Sequence, residues 1–202
     1  LLIVLGEPNS IFSEILFKTY RKKIIQKLNR PIIVIGSENL LRSQMKSLRY
    51  SIKIKKINTI DLKKSKLNKK FINIINVQYK FKKVFDKISS SSNNYINNCF
   101  KIALKLLNEK LAFALINGPV SKTYFLEKKY LGVTEYLARK TNIKKKPTML
   151  IYNPNFSVCP VTTHLPVSHI KKNLSKEKII NDVININYFY KKKLSKKPKF
   201  AI

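Results

Sequence analysis

Three short apolar runs, each rich in β-branched residues and each followed by a glycine, constrain this chain more than any other feature. They are Leu1-Leu2-Ile3-Val4-Leu5 before Gly6, Ile32-Ile33-Val34-Ile35 before Gly36, and residues 111–116 shortly before Gly118. Runs of this length and composition read as buried strands of a parallel sheet. A glycine at a strand's carboxyl end lets the backbone turn sharply or approach a ligand closely. Ligands of open α/β sheets bind at those same ends. With only four glycines in the chain, Gly6, Gly36, Gly118 and Gly132, their placing is informative. Gly36 is read as a plain turn glycine, because nothing else marks its loop.

The segments between the runs alternate with them. Apolar spacing predicts a helix from about Ser13 to Leu28, with Ser13 as N-cap and Ile15, Leu16, Tyr20, Ile24 and Leu28 on its apolar face. Ser37 caps a second helix that carries Leu40, Leu41, Met45 and Leu48. A third strand lies within residues 51–60, near a sheet edge, and another over 71–77. Helical spacing returns over residues 95–110 and begins again at Thr134. Residues 148–152 and 156–161 flank Asn153-Pro154-Asn155 as a hairpin would. Ser175 caps a last helix with Ile179, Ile180, Val183 and Ile184 on one side. Strands alternating with helices through the first half predict an α/β fold with a mainly parallel sheet.

At 202 residues and 44% apolar, the chain buries a sizeable core in one large domain or two smaller ones. No apolar run approaches the roughly 20 residues that span a bilayer, and no signal peptide is seen, so a soluble, cytoplasmic protein is expected. Cys99 and Cys159 lie far apart, in a predicted helix and a predicted strand, as suits reduced, packed thiols. The net charge of +32, from 42 basic against 10 acidic residues, suggests nucleic acid at first sight. The excess is nearly all Lys, however, and Ile and Asn rise with it, as an AT-rich genome favours. The lysines are scattered, and no RNA-recognition signature or zinc finger accompanies them.

Chemistry concentrates at Val161-Thr162-Thr163-His164-Leu165-Pro166. A predicted strand there ends in hydroxyls and one of only two histidines, the other being His169. Such a strand end, followed at once by Pro, can hold a metal or polar ligand, whereas a lone His is more often a satisfied structural residue. Gly6-Glu7-Pro8, Asn117-Gly118-Pro119-Val120-Ser121-Lys122, Gly132-Val133-Thr134-Glu135 and Thr162-Thr163-His164-Leu165-Pro166 occur in that order. In these segments and their separation the chain resembles the 4-hydroxythreonine-4-phosphate dehydrogenases of vitamin B6 biosynthesis, over about the first two-thirds of a typical member.

The resemblance implies an isocitrate/isopropylmalate dehydrogenase-like fold of two α/β domains, here incomplete at the carboxyl end. The first domain covers roughly 1–116; residues 117–202 start the second domain and the cleft. It implies a homodimer with a shared active site, no nucleic-acid or membrane partner, and NAD plus a divalent metal (Zn, Mg or Co) as cofactors. The reaction it implies is oxidation of 4-phosphohydroxy-L-threonine with decarboxylation, giving 3-amino-2-oxopropyl phosphate. His164 matches the first of three metal-binding histidines, and Thr134 matches the substrate-binding threonine. Lys122 is a candidate partner for the substrate anion or a solvated lysine. Ser121 binds the same anion or caps a turn.

Val133 departs from the pattern, since the family usually carries His there and that His touches substrate. Loss of one charge-assisted hydrogen bond costs roughly 1.5–3 kcal/mol. A second reading therefore keeps the fold and mechanism but takes a related 4-phosphorylated acid, threonate or erythronate phosphate. A third, from another class, is a basic nucleic-acid-binding protein. His169 has no match and is read as structural or exposed. The ending Lys199-Phe200-Ala201-Ile202 looks like the start of a strand, so the chain is expected to be a fragment, inactive alone, with most of the NAD site beyond Ile202.

Overall fold

The computed structural model describes residues 1–60, 62, 67–127, 129–141, 147–163 and 165–202. Two compact units make up the chain, Leu1–Val133 and Thr134–Ile202. In the first, the described residues form a five-stranded, wholly parallel sheet in the order β3-β4-β2-β1-β5. The strands are β1 (Leu2–Val4), β2 (Ile33–Gly36), β3 (Ile54–Lys56), β4 (Ile72–Asn76) and β5 (Leu115–Asn117). The first two apolar runs form β1 and β2 at the sheet's buried centre, and β3 lies at an edge, as expected. The mixed α/β class with a parallel sheet thus follows directly from the strand runs.

Three helices cover this sheet: α1 (Phe12–Arg21), α2 (Glu38–Ser47) and α3 (Asn93–Asn108). Helix α1 packs on α2, and α3 lies against β1 and β2. Ile3 and Leu5, with Val34, Ile72 and Ile74, share one core with Leu16, Phe17, Leu41 and Met45. The intervening Leu2, Val4, Ile33 and Ile35 are buried as well. Because successive strand residues face opposite ways, both faces of the sheet are covered, which is why these strands read as unbroken apolar runs.

Helix α1 ends earlier than its spacing predicts. Lys23 takes φ +56°, and the N–H of Ile24 donates back to Thr19 O at 3.0 Å, which closes the helix in a Schellman turn. Only a 3-10 turn, Ile25–Lys27, follows. The buried face is Ser13, Leu16, Phe17 and Tyr20, whereas Ile15 and Ile24 are exposed. Ser13 is no N-cap, since its hydroxyl is buried without a partner. Ser37 does cap α2, accepting from Leu40 N at 3.3 Å. Strand β5 is shorter and more exposed than a buried strand over 111–116. Among the described residues it pairs only with β1, at a sheet edge, and Ile116 within it and Phe113 just before it are about half exposed.

Helix α4 (Val133–Lys140) starts at the junction of the two units. In the second unit, the expected hairpin shrinks to one antiparallel bridge, Ile151 with Val158, closed by hydrogen bonds of 2.8 and 3.0 Å. Pro160 cannot donate to a ladder, and Cys159 and residues 161–163 form no strand. Helix α5 (Val167–Asn173) follows, unforeseen, and then α6 (Lys176–Phe189), capped by Ser175 as expected. The stripe that α6 buries is Asp182 and Ile186, while Ile180 and Ile184 are exposed. Residues 199–202 form no strand. Among the described residues, no helix is long and apolar enough to cross a membrane.

Candidate active site

The carboxyl ends of β1 and β5 lie side by side, and two predicted segments meet there. Glu7 N donates to Pro119 O at 2.8 Å, and Gly118 N donates to Val4 O at 2.7 Å. Gly6 holds φ +72°, and a Cβ on it would collide with Pro119 O. A Cβ on Gly118 would collide with Leu5 O. Both glycines are therefore needed for two backbones to touch, and the touching loops are the sequence segments Gly6-Glu7-Pro8 and Gly118-Pro119-Val120-Ser121. Gly36 differs from its reading as a turn glycine. It ends β2, and any Cβ would meet Leu5 and the Tyr95 hydroxyl.

Glu7 is buried, only 3% exposed. Its Oε1 accepts from Asn9 N at 3.3 Å and its Oε2 from Ser92 Oγ at 3.0 Å. The Ser92 proton is shared with Ser89 O at 3.1 Å. Burial pushes the Glu7 carboxyl above the ordinary value of 4.5, and the two hydrogen bonds oppose that shift only in part. Gln44 Nε2 donates to Pro8 O at 2.7 Å, and Asn9 bridges to the Lys87 carbonyl and the Asp86 N–H. Tyr95 Oη accepts from Ser37 N at 3.0 Å. This frame of Asn9, Gln44, Ser92 and Tyr95 was not singled out in the sequence. Its one signal in the sequence is the serine run 89–92.

The predicted site residues fall in different places. Ser121 accepts from Tyr124 N at 3.1 Å through its hydroxyl, so it caps the turn after β5. Lys122, beside it, is exposed. Val133 is half-buried and Thr134 exposed, and these two residues open α4. The α4 first turn also holds Glu135, which suits a helix amino end. His164 lies outside the described residues. His169 is exposed on α5, where its carbonyl accepts from Asn173 Nδ2 at 2.9 Å. Among the described residues, no three His, Cys, Asp or Glu side chains cluster as a metal site would require. Cys99 and Cys159 are free thiols; burial pushes Cys99 up to about 12 and raises Cys159 too, so neither is a ready nucleophile.

The family model for pyridoxal phosphate biosynthetic protein PdxA matches residues 27–202. The chain belongs to this family. The 4-hydroxythreonine-4-phosphate dehydrogenase of Sulfurihydrogenibium sp. (strain YO3AOP1) is 34% identical over 206 residues, covering 100% of this chain and 61% of its own length. The enzyme of that name from Bacteroides thetaiotaomicron is 25% identical over 180 residues, 88% of this chain and 48% of its own. The chain thus spans about half to three-fifths of these relatives.

Crystal structures of 4-hydroxythreonine-4-phosphate dehydrogenases from Burkholderia phymatum and Klebsiella pneumoniae share the fold. The TM-score is 0.79 for each, at 20% and 18% identity. They cover 92% and 94% of this chain, and 56% and 58% of the solved chains. The Gly6-Glu7-Pro8 loop precedes the segment that the PdxA family model matches, but it lies within the Sulfurihydrogenibium alignment.

Proposed function

We propose that the protein carrying this chain is an NAD-dependent 4-hydroxythreonine-4-phosphate dehydrogenase of vitamin B6 biosynthesis. The observation that carries the reading is the PdxA match over residues 27–202. Membership implies a cytoplasmic homodimer with a shared site, and the two-domain isocitrate/isopropylmalate dehydrogenase-like arrangement. In the overall reaction the secondary alcohol loses a proton from oxygen and a hydride from carbon to NAD. The resulting 3-oxo acid releases carbon dioxide and, after protonation at carbon, leaves 3-amino-2-oxopropyl phosphate.

NAD supplies the hydride acceptor, and a divalent ion (Zn, Mg or Co) supplies the positive charge that favours alkoxide and polarises the new carbonyl. His164 is the residue of this chain that membership assigns to the ion. Among the described residues, no group of three His, Cys, Asp or Glu side chains could hold the ion. Roles for the other residues follow from their chemistry. The exposed Thr134 hydroxyl, in the first turn of α4, is a donor to the substrate phosphate or carboxylate. Ser121 uses a lone pair on Tyr124 N and keeps its proton for an anion. Lys122 adds an exposed ammonium, and Val133 offers only an apolar wall. That apolar residue favours a second reading, in which threonate or erythronate phosphate is the substrate.

Genetic rescue tests the proposal. The full-length gene is expected to restore growth without added vitamin B6 to a bacterium that lacks this dehydrogenase, and His164→Ala to fail. Accumulation of intact protein without rescue would refute it.

A further inference from the structure

We propose that Asn93 is a positioning residue for substrate binding, clamping the turn that carries Ser121 and Lys122. The inference rests on the proposed roles of those side chains at the substrate anion. Asn93 opens α3, directly after Ser92. A serine in that place normally caps the first turn, yet Ser92 makes no such bond. Its hydroxyl donates instead to Glu7 Oε2 at 3.0 Å and to Ser89 O at 3.1 Å. The half-buried Asn93 side chain also leaves its own helix. Its Nδ2 donates to Tyr124 O, 31 residues on, at 2.8 Å and to Glu127 Oε1 at 3.4 Å. The start of α3 thus gives up a cap in favour of the segments that follow β1 and β5.

The segment after β5 is held at its start, middle and end. Its start is fixed where Glu7 N donates to Pro119 O at 2.8 Å. Its middle is fixed at Tyr124, whose N–H donates to Ser121 Oγ at 3.1 Å and whose carbonyl takes the Asn93 amide. Its end is fixed by burial, with Phe125 and Leu126 only 7% and 1% exposed. Phe125 packs on Phe100 of α3 with ring centroids 6.1 Å apart. The Ser121 carbonyl accepts from the N–H groups of Phe125 and Leu126 at 3.0 and 3.1 Å, which ties the buried end back to the exposed turn.

Of these anchors, the Asn93 amide is the one that sets Tyr124 and, through it, the direction of the Ser121 hydroxyl. With one lone pair of that oxygen on Tyr124 N, its proton is confined to the remaining directions. The same turn fixes where the Lys122 stem leaves the backbone. Without the Asn93 bond, Tyr124 is held at its N–H alone, and the Ser121 hydroxyl loses its fixed aim. An anion must then restore that order itself, at a cost in affinity.

The test is steady-state NADH formation by the purified full-length protein with 4-phosphohydroxy-L-threonine, or with threonate or erythronate phosphate if the parent oxidises that instead. Asn93→Ala should raise KM about fivefold, the scale of one neutral hydrogen bond. Its kcat should stay near the parent value, because an anion contact serves ground and transition state alike. Ser121→Ala should raise KM too, and the double variant by less than the product of the single effects, since one residue acts through the other. Amide exchange adds a readout that needs no turnover. The Tyr124 N–H should exchange faster in Asn93→Ala, and the Ile35 N–H at the sheet centre at the parent rate. A normal KM in Asn93→Ala beside a raised one in Ser121→Ala would overturn the proposal and leave the substrate reading intact. So would effects that simply multiply, a fall in kcat alone, or equally faster exchange at Ile35, the mark of general destabilisation. A normal KM in Ser121→Ala would remove the substrate role of Ser121 and this inference with it. A parent that forms no NADH would refute the dehydrogenase reading as well.

Discussion

Glu7 is the residue whose surroundings most change its chemistry. Its carboxyl is buried, is raised above 4.5, and holds both the Asn9 N–H and the Ser92 hydroxyl. The fold favours its protonated form, so this contribution to stability is fully present below the ordinary glutamate value. It is lost as pH rises through the folded-state value. Glu7→Gln carries no such proton. Its stability relative to the parent should therefore improve as pH rises from below the ordinary glutamate value of 4.5 through the raised folded-state value, in urea unfolding; a constant difference would contradict this assignment. Glu7→Ala leaves the half-buried Asn9 N–H without its acceptor, while Ser92 Oγ keeps Ser89 O, and should cost about 1–3 kcal/mol at neutral pH. None of this was legible in the sequence, where Glu7 was one member of a motif and Ser92 one of a run of serines. Val133 was legible, because the position is defined by its neighbours Gly132 and Thr134. If the substrate is 4-phosphohydroxy-L-threonine, Val133→His in the full-length protein should raise kcat/KM by about tenfold or more, through one charge-assisted hydrogen bond.

At the scale of elements, starts were easier to read than stops. Ser37 and Ser175 were recognisable as N-caps because a side-chain oxygen must meet the free N–H groups of a first turn, and both do so. Ser37→Ala should lower stability by about 1 kcal/mol, measured by thermal melting. The stops were hidden. Lys23, Arg49 and Lys110 occupy the left-handed position after α1, α2 and α3, with φ between +54° and +56°. Glycine or Asn usually signals that position, so the lysine-rich sequence erased the signal. Lys110 is the clearest case, with Leu111 N returning to Leu106 O at 2.9 Å. Lys110→Gly should relieve the strain and stabilise the protein by roughly 0.5–1 kcal/mol; destabilisation would show that Lys110 makes contacts which outweigh its backbone. In the second unit, Pro160 ended the predicted ladder, and α5 has no buried residue and no acidic first turn to announce it.

For the whole molecule, the apolar runs specified a parallel sheet because strands covered on both faces leave no polar alternation. Strand order was not legible, since the return from β3 to β4 places β4 between β3 and β2, and periodicity carries no such pairing. The glycine contacts that join β1 to β5 belong to this scale too. Gly6→Ala sets a side chain at φ +72° against Pro119 O, and should destabilise the fold by about 1–3 kcal/mol or more.

The most direct measurement is NADH formation by the purified full-length protein with NAD, a divalent ion and 4-phosphohydroxy-L-threonine, compared with the erythronate and threonate phosphates. Turnover of 4-phosphohydroxy-L-threonine with stoichiometric carbon dioxide is expected, abolished in His164→Ala. Turnover of only the erythronate or threonate ester would contradict the substrate assignment, and no NADH from any of the three would contradict the dehydrogenase itself.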